Sequence, residues 1–341
     1  MAYPRVREGD FIETLEGLIF DVKGIVHPPN RAIAYLRYYP NPKGNRVKAG
    51  INYAKVYDLE DRLTLLQRRY PRYLFFDPVA ARQLQGVPRE RVKRLYKPTE
   101  RLQYLRNKEQ HDSLEGVVVS FANRLQQEAR VKASDLGISG SLQIGLHIPE
   151  SDVDLIVYGR QASHAVQSAL QHIHLTEDTA IEGYQLDTYR PVYELRWASS
   201  GISIETMFKM DGPKAMHGLV MGHHYFIRAV LDWNEMEERY GDRRYQPLGQ
   251  ARATCRIADD RDSLFTPCRY EVDDVEWLGG IQTENLREVV SFRGRFTEQA
   301  RQDDQVVVQG MIESVREGSD QWSRFVLGEQ PTDILLPSNL L

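Results

Sequence analysis

The sequence predicts an α+β protein with three parts. A central mixed sheet with packed helices is flanked by a small N-terminal β unit and by a C-terminal small β-barrel or sandwich. Three observations predict this. Residues 11–57 alternate apolar and polar positions between turn signals. The middle of the chain carries helix-period stripes on either side of a short, buried-looking apolar run. Beyond Tyr240, strand-like runs recur between Gly and Asp clusters. The expected divisions are 1–111, 112–240 and 241–341.

With 341 residues the chain has room for two or three ordinary domains. Its 41% hydrophobic and 27% charged content is that of a globular protein, and the 10% aromatic content argues against disorder. No apolar run reaches membrane-spanning length, and the stretch MAYPRVREGDF lacks the apolar region of a secretory signal. A cytoplasmic location without a membrane partner is therefore expected. Cys255 and Cys268 are too few for a disulfide scaffold or a thiolate zinc site, and are expected to be free. The net charge of −4 is uneven, with a basic run from Arg82 to Lys108 and acid pairs such as Asp259–Asp260 and Asp273–Asp274. That asymmetry fits a polyanionic substrate approaching one side, and fits ordinary solvated faces as well.

In order, Thr14–Val26 and Ala32–Tyr39 read as strands around the turn His27-Pro28-Pro29-Asn30, with a third strand near Tyr53–Tyr57. Their tyrosines suit sheet packing better than base stacking. Helical spacing starts at Asp58 and stops at Pro71. Pro78–Leu84, Pro88–Tyr96 and Pro98–Asn107 read as short helices opened by proline. Asp112–Val131 carries the stripe Leu114, Val117, Val118, Phe121 and Leu125, and Gln161–Ile173 is amphipathic. Pro191–Trp197 and Gly201–Phe208 read as a hairpin, and Pro213–Tyr240 as helix. Within it His217, His223 and His224 find no Cys or acid at metal-ligand spacing. Strands follow at Ala251–Ile257, Arg269–Leu278, Glu288–Phe296, Gln305–Val315 and Trp322–Leu327. Phe292, Arg293, Arg295 and Phe296 interleave as in a nucleic-acid groove, although core packing explains the phenylalanines equally simply. The tail Pro331–Leu341 reads as a loosely docked end.

The most informative stretch is LGISGSLQIGLHIPESDVDLIVYGR, Leu136 to Arg160. It holds Gly140–Ser141, ten further residues, and then Asp152 and Asp154 inside an apolar run closed by Gly159. On a strand, alternation puts both carboxylates on one face, and Val153 and Leu155 on the other. Two acids projecting from a buried strand are costly without a cation, and divalent metals supply one. The competing reading is a Gly-Ser turn followed by an edge strand with solvated acids.

This arrangement resembles the signature of the DNA polymerase β-like nucleotidyltransferase superfamily, carried by Ile138, Gly140, Ser141, Asp152, Val153, Asp154 and Leu155, with Ser151 before the first acid. It covers roughly residues 112–210. The run is similar to small prokaryotic nucleotidyltransferases, and less so to archaeal-type CCA-adding enzymes, because Gln143 and Leu146 stand where those carry Arg and Thr. Length and the Phe265–Tyr270 region resemble a mainly archaeal group of predicted nucleotidyltransferases. The resemblance implies a polymerase β-like core and transfer of an NMP from an NTP to a nucleic-acid (RNA or DNA) or protein hydroxyl, releasing pyrophosphate. It implies two Mg²⁺ ions, with Mn²⁺ as the alternative, held by Asp152, Asp154 and a third carboxylate from a neighbouring strand. Glu205 is the candidate third ligand and Glu194 the alternative. Gly140 and Ser141 would meet phosphate. His147, Arg160, Arg190, Arg196 and Lys209 are further candidate phosphate partners. Two alternatives stay open: a non-catalytic nucleotide- or nucleic-acid-binding module, and an antitoxin-like partner protein on the same fold.

Overall fold

The computed structural model describes residues 5–176 and 180–340, so the first four residues of the N-terminal stretch and the last of the tail lie outside the described residues. The chain divides into two compact units, each discontinuous in sequence. The first holds the chain up to Asp77, Arg82–Glu182 and Gly218–Tyr240; the second holds Pro78–Ala81, Gly183–His217 and the chain from Gly241 on. Residue 112 lies within the first unit.

The first unit opens with β1 (Phe11–Thr14), β2 (Ile19–Val22), β3 (Arg31–Pro40), β4 (Arg46–Lys48) and β5 (Ile51–Lys55). Ala32, Ala34 and Leu36 of β3 point into the core, and the residues between them are partly exposed. Helix α1 (Leu59–Arg69) is capped by Asp58, whose carboxylate accepts from the Glu60 and Asp61 N–H groups. Next come β6 (Leu74–Asp77), β7 (Arg82–Pro88) and β8 (Val92–Tyr96), where short helices were expected over Pro78–Leu84 and Pro88–Tyr96. Here neighbouring strands offer edges that these segments complete: β3 pairs with β7, with Ala32 opposite Val87, and β1 pairs with β8, with Phe11 opposite Tyr96. The resulting sheet runs β4-β5-β3-β2-β1-β8, and β7 pairs with both β3 and β6.

Helices α2 (Pro98–Arg106) and α3 (Ser113–Ala129) match expectation, and α3 buries the stripe from Leu114 to Leu125. Then follow β9 (Leu136–Ile138), the single-turn α4 (Gly140–Ile144), β10 (Val153–Tyr158), α5 (Arg160–His174) and β11 (Ile181–Glu182). The expected hairpin over 191–208 is instead two helices, α6 (Leu186–Arg196) and α7 (Ile204–Asp211). Ser203 caps α7 by accepting from Thr206 N–H, a polar start signal hidden inside an apolar alternation. The helix expected over 213–240 is a hairpin of β12 (His217–Val220) and β13 (His223–Val230). Met221 and Gly222, both at positive φ, make its turn. Along β13, Tyr225, Ile227 and Ala229 are buried while His224, Phe226 and Arg228 are less so, a two-residue period.

The central sheet is mixed, in the order β11-β12-β13-β10-β9. β10 runs antiparallel to β9, with Leu155 opposite Ile138, and parallel to β13, with Asp154 beside Phe226. Helices α3 and α5 pack against one another and against β10.

The C-terminal strands of the second unit are β14 (Arg243–Asp262), β15 (Cys268–Gly280), β16 (Leu286–Ser291), β17 (Gln305–Glu317), β18 (Asp320–Leu327) and β19 (Ile334–Pro337). They run β14-β15-β16-β18-β17, and β17 pairs back onto β14, so the sheet closes into a barrel and not a sandwich. With β16 parallel to β18, this is the strand order of an OB-type barrel. The tail does not hang loose. β19 pairs with β17, and the buried Asp333 carboxylate accepts from the N–H groups of Gly328, Glu329 and Gln330. Among the described residues no helix is long and apolar enough to cross a membrane.

Candidate metal and phosphate site

The strand end at Asp152–Asp154 is built as its sequence implies. Asp152 is exposed just ahead of β10, Asp154 is half-buried within it, and Val153 and Leu155 face the core. The Ser139 N–H donates to the Asp154 carbonyl at 2.9 Å, which joins the end of β9 to β10. Gly140 follows at φ +63°, and a Cβ there would lie 2.0 Å from Asp154 Oδ2. Only glycine allows that approach. Ser141 is buried within the single turn of α4, which ends at Gly145 in the left-handed region.

Residues of the N-terminal sheet hold this turn and the loop after it. Arg46 of β4 donates from Nη1 to the Leu146 carbonyl at 2.5 Å and to Ser151 Oγ at 3.3 Å. Ser151 Oγ also accepts the Ile148 N–H at 3.0 Å. Lys48 donates to the Ile144 carbonyl at 2.7 Å and to the Tyr96 hydroxyl at 2.6 Å, and burial pushes its pKa down to about 8. Gln143 donates to the Tyr96 carbonyl at 2.8 Å. Ser151 and Gln143 of the motif therefore act within the scaffold.

Burial and the neighbouring Asp152 charge raise the pKa of Asp154, against the opposing pull of Arg228, Lys55 and Arg37. Among the described residues its carboxylate has neither a hydrogen bond nor an ion pair. Arg228 stands on β13, two residues beyond the register partner of Asp154, and is held by Glu8 at 2.5 Å. Lys23 joins Glu8 at 3.0 Å and Asp21 at 2.7 Å. Arg37 on β3 and Lys55 on β5 act on Asp154 through space and touch no acid among the described residues.

Glu205 does not stand on a strand beside the Asp pair. It lies in the first turn of α7, and Glu194 lies on α6, both in the second unit. The strand alternation that selected them is absent. Nor does β13 supply the third carboxylate, since His224, Phe226 and Arg228 occupy its less buried positions. Arg190, Arg196 and Lys209 also belong to the second unit, and Arg160 opens α5. His147 pairs with Asp112 at 2.8 Å. Asp112, Glu115 and His147 lie close enough to hold an ion, but Asp112 caps α3 and Glu115 already meets Arg101 at 3.1 Å and Lys108. That cluster is accounted for as a helix cap. His217 is buried, donates to the Asp211 carbonyl at 2.7 Å and is held neutral by burial. In the C-terminal unit, Phe296 is buried and Arg295 lies 4.7 Å from the Trp197 ring, so this half of the interleaved run packs inward, whereas Phe292 is exposed.

Sequence reasoning missed Arg37, Lys55, Arg46, Lys48 and Arg228. Arg37 and Lys55 stand on segments whose alternation reads as strand, whereas β4 and β13 were not expected as strands, and nothing local links any of these residues to the acidic pair.

No family model matches the chain, and no solved structure matches it. An uncharacterized protein of Methanocaldococcus jannaschii is 29% identical over 333 residues, covering 95% of this chain and 96% of its own length.

Proposed function

We propose that this chain is a Mg²⁺-dependent nucleotidyltransferase that moves an NMP from an NTP to a nucleic-acid or protein hydroxyl and releases pyrophosphate. One observation carries the reading: Asp154 is a half-buried, unpartnered carboxylate with a raised pKa, set beside Asp152 and pressed against Gly140. In the same unit the carboxylates of Glu8, Asp10, Glu13 and Glu115 all have cationic partners. An acid left bare where glycine opens the backbone is suited to a divalent cation. The helix ahead of the Gly-Ser strand and the mixed sheet support a polymerase β-like core.

Asp152 and Asp154 would hold the metal, which when bound supplies positive charge to the α-phosphate and the attacking oxygen. Gly140 leaves the backbone open to a phosphate, and the Ser141 N–H and hydroxyl can donate there. The clamps from Arg46 and Lys48 fix this turn before substrate arrives, so little reorganisation is needed.

A second reading, a nucleotide-binding module without catalysis, is favoured by β13, the parallel neighbour of β10, carrying Arg228 and no carboxylate. One assay separates the two. The purified chain is incubated with each labelled NTP, Mg²⁺ or Mn²⁺, and total RNA, DNA or protein. Transfer of label with pyrophosphate release, falling at least about a hundredfold in Asp152→Ala and Asp154→Ala, is expected for the enzyme. NTP binding with no label transferred and no pyrophosphate released selects the binding module. With neither, both readings fail.

A further inference from the structure

We propose that the N-terminal sheet supplies the polyphosphate-binding half of this site, with Arg37 of β3 and Lys55 of β5 taking the outer phosphates of a metal-bound nucleotide. The proposal rests on the metal-site reading of Asp152 and Asp154.

Six cations of the first unit surround the site or its supports, and their partners sort them. Arg228 is held by Glu8 at 2.5 Å, and Lys23 by Glu8 at 3.0 Å and Asp21 at 2.7 Å. Arg46 is spent on the Leu146 carbonyl and Lys48 on the Ile144 carbonyl. Arg37 and Lys55 remain. Among the described residues neither side chain forms a hydrogen bond or an ion pair. Both lie over one ring, that of the 60% exposed Tyr57, with Lys55 Nζ 4.5 Å and the Arg37 guanidinium carbon 5.9 Å from its centroid. The ring keeps both cations in place without neutralising either.

The strands that carry these two cations lie against the motif loop: Tyr38, next to Arg37 and opposite Lys55 in register, packs with Ile144 and Leu146, and Arg46 of the adjoining β4 bonds the Leu146 carbonyl and Ser151, the residue before Asp152. Arg37 and Lys55 act on Asp154 through space, yet among the described residues neither forms an ion pair of 4 Å or less with it. The space between them therefore suits a group with positive charge toward the acids and negative charge toward the bases. A divalent cation carrying a phosphate chain is such a group. Burial and the charges of Arg37 and Arg46 already press the Lys55 pKa downward, a strain that a bound anion removes.

The test uses the full chain and two binding readouts. Calorimetry follows inorganic tripolyphosphate with Mg²⁺, and electron paramagnetic resonance follows Mn²⁺ alone. Arg37→Gln with Lys55→Gln is expected to weaken tripolyphosphate about a hundredfold and each single change about tenfold, with Mn²⁺ binding retained. Lys55→Arg is expected to keep most of the affinity, which a merely structural role for Lys55 would not require. Unchanged near-ultraviolet circular dichroism checks that the double variant is folded. If Mn²⁺ binds in an Asp154-dependent way but tripolyphosphate does not bind, or binds the double variant equally well, the proposal is overturned and the metal site stands. If Mn²⁺ does not bind wild type, both fall. If the double variant loses only a single-stranded oligonucleotide lacking a triphosphate, the cations serve an acceptor backbone and the proposal is also overturned.

Discussion

Gly140 and Asp154 show how a single atom sets the site. Gly140→Ala places a Cβ 2.0 Å from Asp154 Oδ2, at a positive φ that alanine resists. The expected cost is about 1–3 kcal/mol of stability, measured by urea denaturation, with Mn²⁺ binding lost as the carboxylate is displaced. Asp154 itself gives a pH signature. Its folded pKa is raised above the ordinary value of 3.8, so the stability linked to its proton is complete below that value and is lost as pH rises through the folded pKa. Asp154→Asn escapes this loss. Without metal it should melt a few degrees above wild type at pH 7, with the gap closing toward pH 4; saturating Mg²⁺ should raise only wild type. Equal melting at both pH values would show that Asp154 carries no unbalanced charge. These two residues were legible because glycine and alternating acids are local signals. Arg37 and Lys55 were not, because a cation on a strand says nothing about which distant acid it will face.

At the scale of elements, the misread segments share one cause. Over 191–208 and 213–240 the apolar residues satisfy two- and four-residue periods alike, and the deciding features were a serine cap and a positive-φ turn. The helix pair α6 and α7 is organised by the buried Asp211, which accepts from Tyr189 and Trp197 at 2.8 Å each and from Lys214 at 2.6 Å. Burial alone would raise its pKa; Lys214 and the other donors hold it below the usual value. Nearby, burial pushes His217 down to about 4. The unfolded chain binds a proton to this histidine first, so stability is full above about 6.5 and is lost as pH falls toward 4, by up to about 3 kcal/mol. His217→Gln should flatten that part of a stability-against-pH curve. An unchanged slope would mean that the ring is charged in the fold. The barrel is equally closed to solvent: burial pushes both Cys255 and Cys268 up to about 12, and neither should react with a maleimide until the chain unfolds.

For the whole molecule, charge placement narrows where a nucleic-acid acceptor could bind. The basic run that suggested a polyanion track is largely consumed within the first unit. Lys93 meets Glu13 at 2.6 Å, Lys97 meets Asp10 at 2.5 Å, and Arg101 meets Glu115 at 3.1 Å. An OB-type barrel commonly binds oligonucleotides on its second and third strands. Here the second strand, β15, exposes Glu271, Asp274 and Glu276, and the nearby Arg256 is occupied by Asp273, Asp274 and Asp303 at 2.5, 3.1 and 3.0 Å. Phosphates approaching this face meet net negative charge without counterions to release. Sequence composition showed the acids but not the barrel order that puts them on that face. Glu271→Lys with Glu276→Lys in the full chain should therefore leave single-stranded RNA binding unchanged or strengthen it, and steepen its salt dependence, as followed by fluorescence anisotropy across a salt series. Weaker binding in this variant would make the acidic strand a true contact, reading bases through its carboxylates. Strengthened binding would instead make acid on β15 a feature that keeps RNA off the barrel, leaving acceptor choice to surfaces of the chain other than this strand.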